Sequence, residues 1–446
     1  MDKKAQSNIS RRDFMKAAAG AAAAAALNAS QTTKAVAGPR RSDTIRIALI
    51  GCGGRGTTDA INCLRSAPGV EIVAMADLFR DRLDESRKRL LQGNVKKGQE
   101  GNTPPEANVD ISKQVKVADD RCFVGFEAYK KVLALNDVDL VLLTTPPHFR
   151  PIHFKAAVEA GKHVFMEKPV AVDPVGVRSV IQTAALADQK KLSVVAGTQY
   201  RHDKMFVETI RRVRDGAIGE ILAGQAYYLT GALWLRKRQP DWTDMENQIR
   251  NWLYYTWLSG DFIVEQHIHT LDVMNWAMGA LPVKAVAMGG RQARVEPEYG
   301  NVYDHFATEF EYPNGARIAS MCRQMKGCST RNGAYVVGAK GAANIYKGEI
   351  TGKKSWTFKG ERADPSIQEH ADLIAAIRSG KALNDGKRIA ESSLTAILAR
   401  MSAYTGNEVS WKWAMEASKL DLAPAKYEFV RAPAVEVATP GKTKLI

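Results

Sequence analysis

Nine residues, Val264 to Asp272 (VEQHIHTLD), hold four side chains able to carry protons or bind metal: Glu265, His267, His269 and Asp272. At about 100° per residue, a helix gathers Glu265, His269 and Asp272 into a narrow arc and turns His267 away. The two histidines then diverge by about 160°, whereas a metal ion asks its ligands to converge. They would converge on a strand, but Asp272 would then lie on the opposite face. No metal is expected here. Acid/base chemistry suits the arc better, because burial and neighbouring charge can tune an imidazole to take a hydroxyl proton near neutral pH. The plain alternative is a polar helix face without chemistry.

A base needs a reacting centre, and the first half of the chain supplies one. The β-rich run Thr44–Ile50 leads directly into Gly51-Cys-Gly-Gly-Arg-Gly56, then a helical pattern through Ile61 and Leu64. A second run, Val70–Ala76, ends in Asp77. This is G-x-G-x-x-G between strand and helix with an acid about twenty residues on, a dinucleotide-binding pattern. Gly51 permits the tight turn, Gly53 lets backbone N–H groups approach a pyrophosphate, and Gly56 lets helix and strand pack closely. Gly54 and Arg55 complete the loop. Asp77 can accept from both ribose hydroxyls, which favours NAD, while Arg80 and Arg82 just beyond leave NADP open.

Strands continue to alternate with helices. Val138–Leu143 runs into Thr145, Pro146 and His148; a helix over 151–160 follows; then Lys162–Met166 ends in Glu167-Lys168-Pro169. Such alternation implies a parallel, doubly wound α/β sheet with ligands at the strands' carboxyl ends. That places Lys168, a potential proton carrier, beside the nicotinamide. Residues 93–119 lack an apolar period and read as a surface loop. Past Pro169, strand-like runs cluster at 219–229, 282–289, 305–312, 316–322 and 334–338, implying an α+β domain on a mostly antiparallel open sheet. The expected divisions are 1–37, 42–168, 169–406 and a tail over 407–446, which wraps either the cofactor half or a neighbouring subunit. Most rings of Trp252–Trp257 read as core; Trp257 is the one assigned to stacking on a sugar.

These motifs carry a resemblance. The Gly51–Gly56 fingerprint with Asp77, the Thr145-Pro146 turn and the string Ala160-Gly-Lys-His-Val-Phe-Met-Glu-Lys-Pro169 resemble the glucose–fructose oxidoreductase/inositol dehydrogenase (Gfo/Idh/MocA) family over about residues 44–405. The resemblance implies that Lys168 reaches the substrate hydroxyl, that Glu167 meets the nicotinamide end, and that subunits associate through the open sheet. Laid on the family's pattern, Glu265 stands for an aspartate, His267 for a glycine, and His269 and Asp272 keep their types. Pro147 replaces an asparagine. On this basis His269 is the base, Glu265 orients the substrate, Asp272 holds the imidazole, and Tyr200 and Arg201 line the substrate side. The substrate class is a sugar, glycoside or cyclitol.

The N-terminus gives an address. Ser10-Arg-Arg-Asp-Phe-Met-Lys16, a weakly hydrophobic alanine-rich stretch and Ala35-Val-Ala37 resemble a twin-arginine export signal, so a periplasmic or extracytoplasmic protein is expected. Removing residues 1–37 takes six Lys/Arg and two Asp/Glu, and the formal charge falls from +15 to +11. The remaining basic residues are scattered, and export separates the chain from nucleic acid, so nucleic-acid binding is not expected. The five cysteines form no CxxC pair and read as free thiols. Outside the cytoplasm free nicotinamide cofactor is scarce, which points to a tightly held one carried out in the folded protein. Three functions stay open: net sugar oxidoreduction, glycoside hydrolysis through transient oxidation, and a non-catalytic carbohydrate-binding protein.

Overall fold

A computed structural model describes residues 44–93 and 110–446. The export signal and the Gly/Pro/Lys-rich stretch 94–109 lie outside the described residues. In chain order the first elements are β1 (Ile45–Ile50), α1 (Gly54–Ser66), β2 (Val70–Asp77), α2 (Arg80–Leu91) and β3 (Cys122–Val124). Next come α3 (Ala128–Leu133), β4 (Leu140–Leu143), α4 (Arg150–Glu159), β5 (His163–Met166), α5 (Pro174–Gln189) and β6 (Val194–Ala196). The six strands form one sheet in the order β3-β2-β1-β4-β5-β6, every pairing parallel. β4 and β5 are buried along their whole length, as strands covered on both faces must be.

Two details differ from the sequence reading. Residues 110–119 are not simply surface loop: Ile111, Val115 and Val117 are buried, and Val115 bridges to Ile72 of β2. Three apolar residues spaced among lysines are too few to show a period, yet enough to lie along a strand. The parallel sheet also runs past Pro169, since β6 pairs with β5.

The second half continues with α6 (Lys204–Arg214), β7 (Ile221–Thr230), α7 (Asp244–Arg250), α8 (Thr256–Ser259), α9 (Phe262–Glu265) and α10 (Ile268–Met278). Then come β8 (Lys284–Gly290), β9 (His305–Glu311), β10 (Arg317–Gln324), β11 (Arg331–Gly338), β12 (Gly341–Asn344), β13 (Glu349–Gly352) and β14 (Trp356–Thr357). The chain closes with α11 (Pro365–Ser379), α12 (Gly386–Thr405), β15 (Val409–Ser410) and α13 (Trp411–Glu416). Nine strands make the second sheet, β14-β13-β12-β11-β7-β10-β9-β8-β15, antiparallel except for the β7–β10 pair.

Helices α10 and α12 cover one face of this sheet. α11 turns back to pack on α1, and α12 on α5, so the two halves share one core from Val170 through Ile263 to Leu394. The tail returns to its own cofactor half: Phe429 lies 5.8 Å from Phe79 and 5.1 Å from Phe126, and the Tyr427 hydroxyl meets His148 at 2.8 Å.

Candidate active site

The loop after β1 is shaped for a close-approaching ligand. Gly51 sits at φ +104, where a side chain would also press on the Thr145 amide at 2.6 Å. A Cβ on Gly56 would collide with the Gly51 carbonyl oxygen, whereas Gly53 faces open space. The Thr144 hydroxyl ties the turn down by donating to the Gly51 carbonyl at 2.6 Å. Asp77 ends β2 with each oxygen accepting one backbone N–H, from Cys52 at 2.6 Å and from Phe79 at 2.8 Å. Burial raises its pKa against those two bonds. Each carboxylate oxygen keeps a lone pair for a ribose hydroxyl.

A cavity of about 370 Å³ opens from this loop. Gly51, Gly53, Gly54, Arg55, Gly56 and Asp77 line it, and so do Thr145 and Pro146, next to Gly51. Arg150, which the sequence reading passed over, holds that turn: its buried guanidinium donates to the Leu143 carbonyl at 2.7 Å and the Thr145 carbonyl at 2.6 Å. A lone arginine at the start of a helix gives no sequence signal of such a role. Equally unforeseen, Trp234, Arg236, Ile249, Arg250 and Trp252 from the second half line the same cavity.

At the end of β5, Glu167 is buried, accepts the Lys168 backbone N–H at 3.0 Å, and lies 3.7 Å from the Arg55 guanidinium. Gly197 makes room for it, since a Cβ there would stand 2.7 Å from the carboxylate. Lys168 reaches across to the second half, where its ammonium donates to the Glu265 carbonyl at 2.6 Å and the Glu265 carboxylate at 2.8 Å. Glu265 is thus engaged with Lys168 and not held free for a substrate.

The stretch that suggested this site is not one continuous helix. α9 ends at Glu265, Gln266 and His267 turn, and α10 starts at Ile268. His267 and His269 still part company. His267 is buried and shares a 2.6 Å hydrogen bond with the Ser320 hydroxyl of β10, and burial drops its pKa to about 3. His269 lies 5.8 Å edge-on to Tyr200, and its Nδ1 has no hydrogen-bond partner among the described residues. Burial first, then the Lys168 and Arg55 charges, hold its pKa well below the usual imidazole value, so it stands neutral and ready to accept a proton. No group of three or more His, Cys, Asp or Glu among the described residues is arranged to hold a metal ion.

Four expectations change. Asp272 does not hold His269: its carboxylate takes Arg201 at 2.8 and 3.0 Å, Arg388 at 3.2 Å and the Ser392 hydroxyl at 2.7 Å. Burial would raise its pKa, but the two guanidiniums overcome that and keep it ionised. Arg201 is committed to the same pair, with its guanidinium over the Trp276 ring at 4.4 Å, and is not free for substrate. Trp257 is core: its indole N–H donates to Gln248 at 2.7 Å and its ring abuts His148 at 5.0 Å. His148, pushed down to about 4 by burial, joins that aromatic cluster; neither it nor Trp257 lines the cavity, and Glu167, Lys168 and His269 likewise lie outside its lining. Tyr200 does come to His269, stacked on Phe206 at 4.4 Å.

Comparison with known proteins identifies both halves of the chain and its N-terminal segment. Residues 45–196 match the NAD-binding Rossmann domain of the Gfo/Idh/MocA oxidoreductase family, 206–344 match that family's C-terminal domain, and 8–27 match a twin-arginine translocation signal. A "Glycosyl hydrolase family 109 protein" of Shewanella amazonensis is 29% identical over 338 residues, spanning 72% of this chain and 67% of the relative. Another of that name, from Shewanella pealeana, is 27% identical over 292 residues, spanning 64% of this chain but only 57% of the relative. The fold is shared with aldose–aldose oxidoreductase of Caulobacter crescentus, at a TM-score of 0.61 and 18% identity over 82% of this chain and 99% of that one. It is shared too with scyllo-inositol dehydrogenase of Lactobacillus casei, solved with NAD(H) and scyllo-inositol, at a TM-score of 0.59 and 17% identity over 82% and 99%. With a parallel Rossmann sheet, a glycine cradle and both family domains in sequence, this chain is a member of the Gfo/Idh/MocA oxidoreductase family, carrying a twin-arginine signal that directs it to the periplasm.

Proposed function

We propose that the chain transfers a hydride between a nicotinamide cofactor and a hydroxyl-bearing carbon of a sugar, glycoside or cyclitol. One observation carries this reading: Glu265 pins the Lys168 ammonium at the end of β5, next to Glu167 and its contact with Arg55 of the glycine loop, while His269, one short turn beyond Glu265, has its Nδ1 without a hydrogen-bond partner among the described residues. NAD fits that cradle through Gly51–Gly56 and Asp77 and supplies, when bound, the hydride acceptor and donor.

The protein's own part is proton handling and orientation. Removing C–H electrons from a carbinol while its hydroxyl proton stays would build an oxocarbenium-like charge. His269 takes that proton, and Lys168 donates a hydrogen bond to the same oxygen. Glu265 acts as a positioning residue that keeps the ammonium aimed. Tyr200 walls the substrate side. Because the chain is exported, a resident, tightly held cofactor suits it, and it must then be recycled within one catalytic cycle.

The name of the Shewanella relatives favours a second reading, glycoside hydrolysis. Oxidation of a ring hydroxyl to a ketone acidifies the neighbouring C–H; its loss expels the aglycone, water adds to the enone, and return of the hydride leaves two hydroxyl products with no net redox change. Recording the reduced-nicotinamide absorbance of the purified mature protein as glycosides are added separates the two. A transient rise with release of free sugar marks hydrolysis; a rise that persists until a ketose or aldose is added marks oxidoreduction. No response to any carbohydrate would leave a binding protein.

The second sheet supports association of subunits. Its open face carries Met288, Ala307 and Met321 in one cross-strand row, with Val286 and Val337 nearby; Tyr227 continues the row but is buried under the Arg331 guanidinium. Met288 is 75% exposed, a large apolar side chain that a partner would cover.

A further inference from the structure

The cavity that begins at the glycine loop is finished by the other half of the protein. Trp234, Arg236, Arg250 and Trp252 all face it beside Asp77 and Phe79. In a dinucleotide site the acid at the end of β2 marks the adenosine ribose, so these four residues stand over the adenosine end, away from Lys168.

They are held there. Arg250 donates to both oxygens of Asp81 at 3.0 Å, pinning α7 to α2, and its guanidinium lies 3.8 Å from the Phe79 ring centre. The Arg236 N–H donates to the Asn251 side chain at 2.8 Å while the Asn251 amide donates back to the Arg236 carbonyl at 3.0 Å. The Tyr254 hydroxyl donates to the Trp234 carbonyl at 2.9 Å. Behind them, Phe429 of the tail packs on Phe79 and Phe126.

Two side chains on the backbone so held lack what they would normally seek. Trp234 is 42% exposed at the rim. Arg236 is half-buried, touches the Trp234 ring at 5.1 Å, and has no carboxylate in ion-pair range among the described residues. A flat cation and an indole beside a purine-and-phosphate site are the partners that adenine and its phosphates would choose.

We propose that Trp234 and Arg236 form a clamp on the ADP half of the dinucleotide, built from the substrate-side half of the chain, which turns the cofactor into a resident group. This rests on the reading that the cavity takes a nicotinamide dinucleotide. Because the covering segment is stapled to α2 and backed by the tail, release requires that this staple open, and exchange is slow.

The test uses the mature protein stripped of cofactor, with Arg236→Ala and Trp234→Ala as variants and Arg236→Lys as a conservative one. Binding of ADP-ribose and of nicotinamide mononucleotide is measured by calorimetry, and exchange of bound NAD by chase with etheno-NAD fluorescence. Each alanine variant is expected to weaken ADP-ribose about tenfold or more, speed exchange by a like factor, and leave the mononucleotide unaffected; Arg236→Lys falls between. Unchanged ADP-ribose affinity and exchange in both alanine variants overturns the clamp. Equal losses for the mononucleotide overturn it as well, because they report general damage. If wild-type protein binds neither NAD nor ADP-ribose, it is the dinucleotide reading that fails.

Discussion

Lys168 comes from the end of the parallel sheet and Glu265 from the second half, so the ion pair between them joins the two parts at the point where chemistry would occur. Lys168→Ala and His269→Ala should each lower the rate of hydride transfer by about 10²–10⁴ while leaving NAD affinity within a few fold, measured by single-turnover absorbance and calorimetry. Glu265→Gln keeps both the main-chain carbonyl and a side-chain oxygen as acceptors for Lys168 but loses its charge, so its effect should be milder than that of Lys168→Ala. The direction of the His269 shift sets the pH profile. Its pKa lies well below the imidazole value of 6.5, so the ring stays neutral and the acidic limb of kcat/KM should fall below pH 6.5. A limb at or above 6.5 would exclude His269 as the base.

At the scale of elements, the sequence showed which strand ends matter but not how the motif at 264–272 is broken. The helical arc predicted for Glu265, His269 and Asp272 assumed one uninterrupted helix. Asp261, held at φ +75, starts α9 by accepting the Phe262 N–H at 2.6 Å, and the turn at Gln266–His267 then redirects the chain. A positive φ at a non-glycine residue leaves no mark in a hydrophobic pattern. Asp272 was misassigned because its partners, Arg201 and Arg388, lie 71 and 116 residues away. By contrast, the glycine fingerprint was legible because its constraints are local. Gly56→Ala should abolish measurable NAD binding, seen by calorimetry, as its Cβ would collide with Gly51. Asp272→Ala should cost roughly 2–4 kcal/mol in chemical denaturation, because it strands the partly buried Arg201 guanidinium and removes from Arg388 one of its two carboxylate partners, leaving Asp385.

At the scale of the molecule, several buried histidines set the response to acid. Burial lowers His148 to about 4 and His153, His267 and His370 to about 3, from 6.5. Their unfolded forms bind protons first, so the stability they contribute is present above pH 6.5 and lost as pH falls toward 3. Asp261, raised by burial to about 6 from 3.8, acts in the opposite direction, its contribution present below 3.8 and lost as pH rises through 6. Asp77, Asp173, Glu369 and Glu391, also raised by burial, act with Asp261, and His269 acts with the other histidines. A single buried ring is therefore the cleaner test: His267→Asn should flatten the dependence of the urea midpoint on pH between 6.5 and 4 in the direction of a smaller fall on acidification, and an unchanged slope would contradict this. The open sheet face predicts an oligomer in light scattering, and Met288→Lys with Met321→Lys should shift it toward monomer. Neither the apolar row on that face nor the clamp over the cavity could be read from the sequence, since both arise from strand register and long-range packing.

Hydride transfer between a carbohydrate carbon and a nicotinamide cofactor seated at Gly51–Gly56 is the step to test. The most direct test mixes the purified holoprotein with uniformly carbon-deuterated hexoses, hexosides and inositols under single-turnover conditions, then weighs the cofactor released on denaturation. Deuterium on the reduced nicotinamide, one mass unit above the protiated reduced form and absent in His269→Ala, is the predicted result. Product formation or sugar release with no deuterium ever reaching the cofactor would contradict the account.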